Sequence, residues 1–180
     1  AWSGTEPRSY SNNTAAYRTE GDRDVVYITA PAQYSGAPAL YRYTLGDVRN
    51  GGTDIWERIG ETYNAPSGQG TAVIDSRHNL YVHTAAITGR TIDLGVWDLG
   101  KSNAVNSDLN RDIAVHLVNP DGSAFEVNIN HGIAYDETSG KLLLWDGADM
   151  GTVWETEAVV DALGNVGSQW VVQKLLSNTS

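Results

Sequence analysis

The stretch from Asn130 to Gly147 constrains the fold most, because its layout recurs twice more upstream. An apolar run, Ile133-Ala134-Tyr135, ends in Asp136-Glu137-Thr138-Ser139-Gly140, which has the glycine and short polar residues that a hairpin turn needs. The run that follows, Lys141 to Trp145, is almost wholly apolar, which predicts a strand covered on both faces. Upstream, Thr14 to Tyr17 precedes the turn Glu20–Asp24 and the strand Val25–Thr29, and Gly70 to Ile74 precedes the turn Asp75–Asn79 and the strand Leu80–Thr84. Aligned at Tyr17, Ile74 and Tyr135, the three first strands stand 57 and 61 residues apart.

Each hairpin continues into two more strands. These are Ala39–Leu45 and Asp54–Ile59 in the first unit, and Thr91–Leu99 and Asp112–Val118 in the second. In the third they are Thr152–Thr156 and Ser168–Leu175. Trp56 and Trp170 put an aromatic in the fourth strand of the first and third units, where the second has Ala114-Val115. A four-stranded unit repeated at this period is the signature of propeller blades. No stretch of a dozen residues keeps a helical period, and Glu155 to Leu163 followed by Gly164-Asn165 reads as a hairpin extension. The expected architecture is all-β, a β-propeller segment of three four-stranded antiparallel blades. Residues 1–13 form a polar lead-in and 14–180 the propeller segment, with blades at about 14–60, 70–118 and 131–175. The expected core is Val26, Ile28, Tyr41, Trp56, Ile74, Tyr81, Val96, Tyr135, Leu143, Trp145 and Trp170.

Several residues bring the chain close to a known group. They are the Tyr135-Asp136 strand end, the Ser139-Gly140-Lys141 turn, the apolar strand ending in Asp146-Gly147, and the outer-strand tryptophans. This pattern resembles the blades of Kelch or galactose-oxidase-type propellers, although the Gly-Gly pair usual after the second Kelch strand is missing. The resemblance implies a fold and carries no particular chemistry. The group's oxidase cofactor is built on a cysteine, and this chain has none. Propellers have four to eight blades, so three blades predict either a homo-oligomer, with two copies making six blades, or the remainder of a longer propeller chain.

With 22 acidic and 12 basic residues the chain carries a net charge of −10, which disfavours nucleic acid as a partner. No apolar run is long enough for a membrane-spanning helix. The absence of cysteine removes disulfides, thiolate metal sites and thiol nucleophiles. Asp108 to Asp112 has the alternation of a calcium loop without its glycine or distal glutamate, so no metal and no cofactor is expected.

Blade topology sorts the loops onto two faces. Over the channel, on one face, fall Tyr34, Tyr63, Arg90, Asp146, Asp149 and His131, and these are the candidate ligand-binding residues. Of the four histidines, His78 reads as a surface turn residue, His116 as half-exposed and structural, and His83 as core-facing and hydrogen-bonded. His131 alone stands near the channel, where it suits a general base or, as the plainer reading, a loop histidine. The sequence therefore points to an extracellular or cell-surface binding module or scaffold for a glycan or protein partner. The alternatives are a lyase-type enzyme acting on polysaccharide, with His131 as base and Arg90 neutralising a uronate, and a purely structural surface or filament repeat.

Overall fold

The computed structural model describes residues 3–4, 13–31, 38–47, 50–61, 70–88, 91–101, 112–127, 131–145 and 152–176. Among them there is no α-helix, and every regular element is a strand. The first sheet is an antiparallel meander of β2 (Thr14–Glu20), β3 (Arg23–Pro31), β4 (Pro38–Thr44) and β5 (Ile55–Glu61), with the short β1 (Ser3–Gly4) parallel to the outer edge of β5. The second is the meander β6 (Ala72–Asp75), β7 (Leu80–Thr88), β8 (Thr91–Asp98) and β9 (Ile113–Val118). The third comprises β10 (Gly132–Asp136), β11 (Lys141–Trp145), β12 (Val153–Thr156) and β14 (Gln173–Leu176).

The turns form for reasons visible in their residues. In the third hairpin the Asp136 carboxylate accepts bonds from the Thr138 amide at 3.0 Å and the Ser139 hydroxyl at 2.7 Å, and Gly140 takes a positive φ of 72°. The tip of the Val160–Val166 bridge repeats the device, with Asp161 bonding the Leu163 and Asn165 amides and Gly164 at φ 83°.

The three sheets stack face to face, with the second in the middle. Val25, Tyr27, Leu40 and Ile59 of the first sheet pack on Ile74, Tyr81, Trp97 and Leu99 at the second. The other face of the second sheet, with Leu80, Val82, Leu94, Val96, Val115 and Leu117, packs on Ile133, Leu142 and Leu144 of the third. Alternation along each strand sends successive side chains to opposite faces, so the middle sheet must be apolar on both.

Two expectations need correction. Trp170 does not lie in the fourth strand of the third unit. It belongs to β13 (Gln169–Val171), which adds in parallel to β9 of the second sheet, with Trp170 opposite Leu117. The fourth strand is β14, so no aromatic recurs there. Pairing with the free edge of β9 places the indole wholly inside the cluster between the second and third sheets, where its large apolar surface leaves water altogether.

The expected core is also one residue out of register in places. Tyr41, Ile74, Tyr81, Val96 and Trp170 are buried as expected, but Val26, Ile28, Trp56, Tyr135 and Leu143 are only half-buried and Trp145 is 43% exposed. Leu142 and Leu144 are the inward residues of β11. The run Lys141–Trp145 is covered on one face, and a continuous apolar run does not reveal which one.

Candidate functional site

The first strands of the three sheets, β2, β6 and β10, are the inner edges of their meanders and lie side by side. Between them runs a cleft of about 710 Å³, lined by residues 15–20 of β2, by Ala72, Val73, Ile74 and Ser76, and by Tyr135 and Glu137. Because each strand is a sheet edge, one side of its backbone has no strand partner. A ligand entering the cleft would meet peptide N–H and C=O groups as well as side chains.

One wall of the cleft is held by a charged cluster between the first two sheets. Glu20 receives the Tyr27 hydroxyl at 2.6 Å, Arg18 Nε at 2.6 Å and Arg42 Nη2 at 2.6 Å. Arg18 also reaches Asn79 Oδ1 in the turn of the second sheet, and its guanidinium lies 5.3 Å from the centre of the Tyr27 ring. Burial works against charge on Glu20, but the Tyr27 and Arg18 hydrogen bonds and the charges of Arg18 and Arg42 outweigh it and hold the carboxyl below its ordinary range. The same arrangement pushes the Tyr27 phenol up to about 12, through burial first and then its bond to Glu20.

The turns of the second and third sheets meet at the other wall. Ser76 Oγ donates to Glu137, and the Arg77 amide donates to the Tyr135 hydroxyl at 3.4 Å. The Arg77 guanidinium lies over Gly140, where an added Cβ would come within 2.1 Å of it, and pairs with Glu157 at 3.3 Å. His78 is tied by Nδ1 to the buried Asp75 carboxylate at 2.7 Å, so this turn histidine anchors the first hairpin of the second sheet.

Of the residues expected to bind ligand, Tyr34, Tyr63, Arg90, Asp146 and Asp149 lie outside the described residues. His131 is described, immediately before β10, and is buried at 6% exposure. The space above the adjacent Gly132 is filled by the Trp145 indole, since an added Cβ would stand 2.0 Å from its ring. The glycine therefore serves packing between neighbouring strands rather than the approach of a ligand.

His83 is core-facing, as expected, and fully buried. Its Nε2 lies 3.9 Å from the buried Asp112 carboxylate and its Nδ1 is 3.3 Å from the Thr84 carbonyl. Desolvation outweighs the attraction of Asp112 and lowers its pKa to about 4, so the imidazole is neutral at pH 7. His116, in β9 between β8 and β13, is exposed and bonds Asp93 at 2.7 Å. Among the described residues no group of three histidine or carboxylate side chains is placed to hold a metal ion, and no helix is long and apolar enough to cross a membrane.

The cleft-lining residues Thr19, Ser76 and Glu137 carry no functional reading in the sequence, and Tyr135 reads there as core. The signal was present, because they sit at the same turn-proximal end of the three repeated first strands. Loop position, however, drew attention to the opposite end of those strands. No known family, curated protein or solved structure matches this chain.

Proposed function

We propose that the three sheets are consecutive blades of a β-propeller and that the chain is a non-catalytic binding module, taking a glycan at the cleft along its inner strands. The observation that carries this reading is the convergence of β2, β6 and β10 on one cleft of about 710 Å³. That volume suits a few sugar rings. Hydroxyls and carboxylates at the mouth (Thr19, Ser76, Glu20 and Glu137), together with edge-strand backbone groups, supply the mixed donors and acceptors that sugar hydroxyls require. Two carboxylates against one arginine, within a chain of net charge −10, favour neutral over acidic glycans. An extracellular or cell-surface location goes with such a ligand.

The test is titration calorimetry of the intact chain against neutral and acidic oligosaccharides. A neutral oligosaccharide should bind, Glu137→Gln should weaken it roughly tenfold, and Ser76→Trp, which fills the cleft mouth, should abolish it. Binding unchanged in Ser76→Trp would move the ligand elsewhere. New ultraviolet absorbance from an acidic polysaccharide would favour the lyase alternative instead.

A further inference from the structure

The cleft meets consecutive residues of its strands, not alternate ones. On β2 every residue from 15 to 20 reaches it, and on β6 so do Ala72, Val73 and Ile74. Side chains alternate across a strand, so a cavity over a sheet face would meet only every second residue. A cavity that meets them all runs along the strand edge, where peptide groups point.

The pairing pattern identifies those peptide groups. Asp24 of β3 gives its carbonyl to the Leu45 amide, so Asp24, Val26 and Ile28 bond toward β4. Arg23, Val25, Tyr27 and Thr29 then bond toward β2, and their partners there are Glu20, Arg18, Ala16 and Thr14. Ala15, Tyr17 and Thr19 therefore direct their N–H and C=O groups outward, away from β3. On the second sheet Thr84 donates to the Thr71 carbonyl and Leu99 to that of Asn79. The even-numbered residues of β7 thus bond toward β6, which leaves Ala72 and Ile74 with their peptide groups outward. No other strand among the described residues pairs with either edge.

Short apolar side chains flank these groups. Ala16 and Ala72 stand half-buried against the cluster between the first and second sheets, and Ile74 is buried in it. A secondary amide bearing a methyl group matches both features. Its N–H and C=O can pair with an edge peptide as a neighbouring strand would, while its methyl covers alanine. Charge narrows the choice: the cleft sets Glu20 and Glu137 against Arg18, in a chain of net charge −10, which favours a neutral group. Length narrows it further. The outward runs are three residues on β2 and two on β6, and the sheets lie face to face, so an extended peptide finds little edge to pair with.

We propose that the cleft takes N-acetylated amino sugars, the acetamido group bonded to an outward peptide of β2 or β6 with its methyl against Ala16 and Ala72. The inference rests on the glycan reading of the cleft and names the class of glycan.

Titration calorimetry of the intact chain against matched tetrasaccharides tests it. Tetramers of N-acetylglucosamine and N-acetylgalactosamine are each set against the glucose or galactose tetramer of the same linkage. One acetylated tetramer should bind roughly tenfold more tightly than its counterpart, through one added amide pairing and one covered methyl. Ala72→Leu fills the place of the methyl and should bring the two members of that pair to equal affinity. Circular dichroism should show the variant folded, and Ala16→Val supplies the same test should leucine at 72 unfold the chain. Equal affinity within both pairs, or a preference that survives in both variants, would overturn the inference. Loss of that binding in Ser76→Trp would still keep the cleft as the site. Tighter binding of a neutral acetylated tetrapeptide would give the edges to a peptide strand and overturn it too. Failure of every neutral oligosaccharide removes the cleft reading itself, and this inference with it.

Discussion

The second and third sheets are built from nearly the same hairpin yet reach different ends. In the second, Leu80 and Val82 point to one face and Tyr81 and His83 to the other, and all four are buried because sheets lie on both sides. In the third, Leu142 and Leu144 are buried, while Leu143 and Trp145, on the opposite face, are not. The comparison shows that burial here is a property of position in the stack more than of residue type. A tryptophan can be the least buried member of its strand while a histidine in the neighbouring sheet is sealed.

The largest effect should come where the two sheets meet. Trp170 of β13 fills the cluster between them and is fully buried. Trp170→Ala should cost about 3–5 kcal/mol, read from the shift of the urea midpoint at constant slope. A loss below about 1 kcal/mol would mean that β13 is not anchored on β9 and that the two sheets meet without it.

Next comes the sealed histidine of the middle sheet. The folded pKa of His83, about 4, lies below its ordinary 6.5, so the unfolded chain takes up a proton that the folded chain refuses. The stability this site contributes is therefore complete above about pH 6.5 and is lost as the pH falls toward 4, with a total on the order of 3 kcal/mol. Denaturation between pH 7 and 4.5 should show that slope in the wild type and a flatter one in His83→Gln. Equal slopes would show that His83 does not govern the acid limb.

The space around His83 gives a third test. Gly95 faces it from β8, and a Cβ there would stand 2.1 Å from Nε2. Gly95→Ala should therefore destabilise by about 1–3 kcal/mol through overpacking, although alanine suits a strand better than glycine. A neutral or stabilising result would mean that the imidazole can move aside and that the middle sheet is looser than its burial implies.

These differences mark what the sequence could convey. The repeated hairpins, their turns and the order of strands were legible, because glycine, aspartate and alternating apolar residues act locally. The place of Trp170 was not, since Ser168 to Leu175 reads as one strand and only tertiary pairing splits it into β13 and β14 around Val172. Faces were misread where a run is apolar throughout, as in Lys141–Trp145, because alternation was the only local clue and it is absent there. Among the candidate ligand residues only His131 lies within the described residues. It is buried at 6% exposure, which no local pattern reports.

The smallest effect, and the one that sharpens the comparison most, belongs to Trp145. Its indole covers Gly132 but leaves 43% of its surface exposed on the outward face of the third sheet, with no sheet above it among the described residues. Truncation opens toward solvent and leaves no closed cavity, so in dilute solution Trp145→Ala should cost only about 1–2 kcal/mol, well under the value for Trp170. If a second copy covers this face, the same substitution removes a contact that exists only in the dimer, and its apparent cost must grow with protein concentration by mass action. Thermal unfolding of wild type and variant over a hundredfold concentration series reads this directly. Curves that diverge as concentration rises place Trp145 in an interface, and make the third sheet equivalent to the second once assembled. A constant offset would leave it what it is in the single chain, a half-covered residue on a free face.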